Sequence, residues 1–94
     1  MSWTVEFNDI AAKEYKKCSK ELQKTISNYL YTKVLKSKHP KDLGKALRYD
    51  YLGLWRYRVG KYRIVCHLEE DKLVVLVLRI AKRDAVIKIY KKQM

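Results

Sequence analysis

Ninety-four residues with 48% apolar side chains suit a single domain, residues 1–94, with one modest core; they exclude a disordered chain and leave no room for a deep pocket. Twenty-two Lys and Arg against ten Asp and Glu give a net charge of +12, above the roughly 2–8 units of an ordinary small soluble domain. A field of that sign selects polyanionic partners (nucleic acid, ribosome, acidic membrane or acidic protein), met on an open face or shallow cleft.

The opening stretch MSWTVEFNDI has neither the charged leader nor the apolar run of a signal peptide. No segment approaches the ~20 apolar residues that span a bilayer, so a cytoplasmic protein with no membrane attachment is expected. Trp3–Phe7 alternates apolar and polar and predicts a first strand. Asn8 is a plausible N-cap for a helix running to about Ser19, with Ile10, Ala11, Tyr15 and Cys18 on its apolar side. A second amphipathic helix follows from about Lys20 to Lys36, its core stripe formed by Leu22, Ile26, Leu30 and Val34. The His39-Pro40 step ends helical geometry, and Lys41–Asp50 reads as a connector. Leu54–Val59 and Tyr62–Leu68 flank Gly60-Lys61 as a hairpin, Leu73–Ile80 forms another strand, and Ala85–Tyr90 is a short last helix or strand. The order β-α-α-β-β-β predicts an α+β domain, with the two N-terminal helices packed on one face of a small antiparallel sheet. Cys18 and Cys66 stand alone, with only His39 and His67 available beside them, so free thiols and no metal site are expected.

The hairpin is the most informative segment. Gly60 takes positive φ freely, as the first central position of a two-residue turn requires. Val59 then pairs with Tyr62, Arg58 with Arg63, Tyr57 with Ile64, Arg56 with Val65 and Trp55 with Cys66. Alternation sends Trp55, Tyr57, Val59, Tyr62, Ile64 and Cys66 to the core side, and Arg56, Arg58 and Arg63 to the other, with Leu54, Val65 and His67. Like charges placed opposite one another destabilise a strand pair, so the Arg58–Arg63 pair calls for a bound anion as its reason. The bland alternative is a solvated basic face.

Arg79, Ala81 and Arg83 share parity with Val75 and Val77. An odd-length loop around Glu69-Glu70-Asp71 sets them beside Arg63, whereas an even one buries Arg79 unpaired; the odd loop is therefore expected. Guanidinium groups are poor bases, but they grip phosphate in bidentate fashion and stabilise charge on a phosphoryl transition state. RNA brings its own nucleophile in the 2′-hydroxyl, so a patch of this kind needs no metal or other cofactor. His67, the one patch-face imidazole, is a candidate acid or base, against the commoner structural role of a lone strand histidine.

Leu47-Arg48, then the run from Gly53 through Arg56, Arg58, Gly60 and Arg63 to Val65, is similar to the core motif of RelE/ParE-superfamily toxins. The strand ending Arg79-Ile80-Ala81-Lys82-Arg83 resembles the family's next motif, and element order and length agree from end to end. The resemblance implies a RelE-like toxin of a type II toxin–antitoxin system: a ribosome-dependent endoribonuclease that cleaves mRNA in the decoding site by 2′-hydroxyl attack. It also implies a cognate antitoxin that neutralises the toxin, and promoter DNA bound only through the antitoxin complex. Carried over, Arg56 and Arg58 stand where well-known members have two lysines. Arg63 matches an arginine that stabilises the reacting phosphate, and Arg83 one that stabilises charge or protonates the leaving oxygen. The family's tyrosine falls near Ile87, with Tyr90 a helical turn later as its substitute for acid–base or stacking work. Lys61, Arg79 and Lys82 are the expected RNA-binding residues around them. A gyrase-poisoning toxin of the ParE kind, or a non-enzymatic basic module that binds RNA or the ribosome, are the alternatives.

Overall fold

Alternation, caps and breakers set the order of elements in the computed structural model, which describes residues 2–47, 53–82 and 84–85. Strand β1 spans Thr4–Phe7. Asn8 then caps α1, Asp9–Lys17, its side-chain oxygen accepting from the Ala11 N–H at 2.8 Å. Ser19 caps α2, Lys20–Asn28, in the same way through the Leu22 N–H. The two helices are tied by Gln23, whose Nε2 donates to the Tyr15 carbonyl at 2.9 Å, and by the 2.6 Å bond between the Tyr15 and Ser27 hydroxyls.

The helical path continues from α2 as a wider π turn, Tyr29–Val34, where Leu35 N–H reaches back five residues to the Leu30 carbonyl. The sequence contains the reason. Apolar residues four apart lead an α-helix by about 40° at each step, so Leu22, Ile26, Leu30 and Val34 would drift off the core. Widening the last turn slows that rotation and leaves Ile26, Leu30 and Val34 all fully buried.

A short 3-10 turn, Pro40–Asp42, leads to the two-residue strand β2, Lys45–Ala46. Strands β3 (Leu54–Val59), β4 (Tyr62–Glu69) and β5 (Val74–Lys82) complete a sheet of order β1-β5-β4-β3-β2. This is the expected α+β architecture, helices on one face, with one departure: β1 runs parallel to β5, so the sheet is mixed. Ala11, Ile26, Leu30 and Val34 pack on Tyr57, Ile64, Cys66, Val75 and Val77 in the main core. A smaller cluster of Leu47, Leu54, Val65 and Ala81, joined by Leu78, floors the opposite face. Cys18 and Cys66 are free, and burial pushes the Cys66 thiol well above its ordinary range. Among the described residues no helix is long and apolar enough to cross a membrane. Asp84 and Ala85 begin a helical turn; the rest of the expected last element lies outside the described residues.

The expected odd loop between β4 and β5 is corrected by the register. Glu69 pairs with Val74, which leaves an even loop of four residues, 70–73. Val75 and Val77 accordingly face the core. A bulge then shifts the pairing between Val65 and Cys66, so that Val65 faces Arg79 while Cys66 faces Val77. Parity counted along β5 cannot see an inserted residue, which is why Val77 and Arg79 part company. Arg79 is not left unpaired: its Nε and Nη2 donate to the Glu14 carboxylate of α1 at 3.0–3.2 Å. The same carboxylate accepts the Ile80 N–H at 2.7 Å, past the point where the β1 register ends at Phe7–Val77. Glu14 thus stands in for a missing strand partner and neutralises a half-buried guanidinium. Glu14→Ala is expected to lower the unfolding free energy by about 1–3 kcal/mol, because a backbone donor and a charge both lose their acceptor; the midpoint of urea unfolding measures it.

Candidate functional site

The hairpin places its arginines as the two-residue turn requires. Gly60 has φ +58°, Val59 pairs with Tyr62, and Arg58 lies opposite Arg63. Pairs alternate along an antiparallel ladder, and the pair next to the turn-closing Val59–Tyr62 is a non-hydrogen-bonded one, with Cα atoms about 4.5 Å apart. The stems of Arg58 and Arg63 therefore start close together on one face. Ala81 faces Arg63 from β5, so no large side chain crowds it from that strand. Arg56 sits one row along, between Lys45 of β2 and Val65 of β4.

The connector that delivers Lys45 is held from the core side. Tyr57, fully buried, donates its hydroxyl to the Pro40 carbonyl at 2.6 Å, and Trp55 Nε1 donates to the Leu43 carbonyl at 2.7 Å. Gly44, at φ +72°, lies so close to β3 that an added Cβ would overlap the Arg56 carbonyl oxygen and the Tyr57 ring. Aromatic residues on the hidden face thus fix the position of a cation on the open one.

Among the described residues none of Arg56, Arg58 and Arg63 has a carboxylate partner, and the buried Nε of Arg56 has no hydrogen-bond acceptor. The contrast with Arg79, gripped by Glu14, is direct. Two shallow cavities adjoin the arginines and share Arg58 and Arg63. One, of about 250 Å³, is lined also by Tyr29, Gly44, Lys45, Arg56 and Tyr57. The other, of about 300 Å³, adds Gly60, Lys61, Tyr62, Lys82 and Asp84. Asp84 borders this second cavity without forming an ion pair with its arginines. Guanidinium groups clustered in this way can grip a phosphate in bidentate fashion and stabilise charge on it.

Arg56, Arg58, Arg63, Lys61 and Lys82 are therefore brought together. Arg79 is withdrawn from the RNA-binding set that its position in the sequence suggested, because Glu14 occupies its guanidinium. His67 is also separated: four residues along β4 from Arg63, about 13 Å, it lies 3.9 Å from Glu69 in a cavity with Lys41, Glu70, Asp71 and Lys72. Arg83 and Tyr90 lie outside the described residues. Sequence reading missed Tyr29 and Lys45. Lys45 carried no signal beyond its charge. Tyr29 lay just off the apolar stripe of the second helix, where that helix meets the wider turn, and it lines the cavity beside Arg58; burial raises its hydroxyl pKa.

A small α+β fold thus carries, among the described residues, a sheet face whose arginines have no ion-pair partner. The family model described as ParE toxin of type II toxin–antitoxin system, parDE, matches residues 5–86. The chain belongs to this toxin family, within the RelE/ParE superfamily. It is similar to Toxin RelG of Mycobacterium tuberculosis, with 25% identity over 83 residues, 88% of this chain and 93% of that protein. The fold is that of the toxin–antitoxin complex RelBE2 of M. tuberculosis, with TM-score 0.75, 23% identity, and 88% and 93% of the two chains covered. It also matches a double-arginine variant of E. coli toxin RelE in the free state, with TM-score 0.75, 23% identity, and 100% and 99% covered.

If the arginine face exists to hold an anion, it holds it at a cost in stability. Arg58→Glu turns the like-charge pair into an opposite-charge one. It is expected to stabilise the fold by a few tenths to about 1 kcal/mol; the midpoint of thermal unfolding measures it.

Proposed function

We propose that this toxin is a ribosome-dependent endoribonuclease that cleaves mRNA in the decoding site. The observation that carries the reading is the Arg58–Arg63 pair, with Arg56 beside it, on one open face and without a carboxylate partner among the described residues. The 2′-hydroxyl of the substrate attacks the adjacent phosphorus and gives up its proton. The P–O5′ bond breaks, and the departing oxygen takes up a proton, leaving a 2′,3′-cyclic phosphate on one product. Charge on the phosphoryl oxygens rises along this path, and fixed guanidiniums meet it without reorganising. The nucleophile belongs to the substrate and the charge is met by arginine, so the proposed chemistry runs without a metal. Arg83 directly follows Lys82 in the chain and is assigned to the leaving oxygen, with Tyr90 for proton transfer or stacking; Lys61 and Lys82 guide the backbone. A cognate antitoxin silences the toxin, in keeping with the structurally similar RelBE2, a toxin–antitoxin complex; promoter DNA is reached only through such a complex.

The test is primer extension on translated mRNA after brief expression. Arg63→Ala should reduce cleavage by about 10²–10³-fold, with the circular dichroism spectrum unchanged. Full toxicity of both Arg63→Ala and Arg83→Ala would place the chemistry elsewhere. The ParE description of the matching family favours a second reading, gyrase poisoning. DNA-damage signalling with intact mRNA and continuing translation selects it.

A further inference from the structure

The two cavities beside Arg58 and Arg63 differ in a way that assigns a direction to the substrate. Both share the arginine pair, so a phosphate held there has one cavity on its β2 side and the other toward β5. The β5-side cavity is bounded by the hairpin turn and by Lys61 and Lys82, chemistry suited to a sugar–phosphate backbone. The β2-side cavity is different. Its walls are bare backbone at Gly44, the Lys45 and Arg56 side chains, and the aromatic rings of Tyr57 and Tyr29. Tyr57 is fully buried, which leaves Tyr29 as the partly exposed ring.

Tyr29 belongs to the helical layer, on the far side of the sheet from the arginines. It reaches their cavity because β2 pairs only with Trp55 and Arg56, leaving the β3 edge from Tyr57 onward uncovered by a strand. Its ring is set by packing at 5.9 Å and 60° against Tyr57, with the Lys33 ammonium 5.8 Å from its centroid. Hairpin alternation sends Trp55, Tyr57 and Tyr62 to the core side of the sheet. An aromatic ring beside a cationic groove is the combination that holds a nucleobase next to its phosphate.

We infer that Tyr29 and Lys45 form a nucleobase subsite flanking the Arg58–Arg63 phosphate site, so that single-stranded RNA crosses the strands from the β2 edge toward β5. The inference rests on the RNA reading above and adds a recognition element supplied from the helical layer.

The experiment uses the intact toxin and a short oligoribonucleotide carrying 2′-deoxy sugars, which cannot be cleaved, with an abasic residue moved through it one position at a time. Anisotropy titration of the parent toxin should show one position where base removal weakens binding about tenfold. In Tyr29→Leu that loss should vanish while the other positions behave as before, and Tyr29→Phe should retain it. A partly unfolded variant weakens every oligonucleotide alike and so does not imitate this pattern. The inference is overturned if every abasic position is equivalent in the parent, or if Tyr29→Leu keeps the parent's dependence. Absence of mRNA cleavage by the parent removes the nuclease reading instead, and leaves the binding result to decide Tyr29.

Discussion

A turn of only two residues, Gly60 and Lys61, sets the phase of β3 against β4, and through it the side of the sheet on which every residue of the hairpin lies. One additional residue there would send Arg63 into the helical core and Ile64 into solvent. Because the phase is fixed, Tyr57, Ile64 and Cys66 are available to bury the helices while Arg58 and Arg63 are forced together on the opposite face. Hydrophobic burial on one side thus supplies the free energy that holds two like charges close on the other. The site is a by-product of core packing in its position and a departure from stability in its composition.

The helical layer contributes more than a lid for the core. Through Glu14 it completes the β5 edge and removes Arg79 from the cationic set, which keeps the remaining guanidiniums distinct in role. Through the Tyr57 and Trp55 hydrogen bonds to Pro40 and Leu43, the connector after α2 is held against β3, and Lys45 is carried into line with Arg56. These bonds lie on the buried side, yet what they position lies on the exposed one. Substitutions at Trp55 or Tyr57 would therefore disturb the arginine face without touching it.

Much of this was legible in the sequence. The pairing of Arg58 with Arg63 and the core assignment of Tyr57, Ile64 and Cys66 followed from Gly60 and period-2 alternation, because a tight turn leaves no freedom of register. The Asn8 cap was equally readable, being a local side-chain-to-backbone bond. What escaped depends on non-local geometry. The bulge near Leu78 inserts one residue and inverts the parity that a count along β5 assumes, so Arg79 lands beside Val65 and meets Glu14, 65 positions earlier. The parallel pairing of β1 with β5 has no short-range signal at all. Tyr29 lay just off an apolar stripe of period four, and its place beside the arginines depends on how the helical layer packs at the open β3 edge.

The charge along β4 is uneven. At one end stand Arg58, Lys61, Arg63 and Lys82; at the other, some 25 Å away for an eight-residue strand, Glu69, Glu70 and Asp71 outnumber Lys41 and Lys72. Among the described residues, these charges contribute a dipole component along the strand axis in addition to the net charge. In the field of a polyanion such a body feels a torque as well as an attraction, and it is turned hairpin-tip first before contact is made. A protein this small can thus arrive already aimed, and added salt, by shortening the range of the field, would make more of its collisions unproductive.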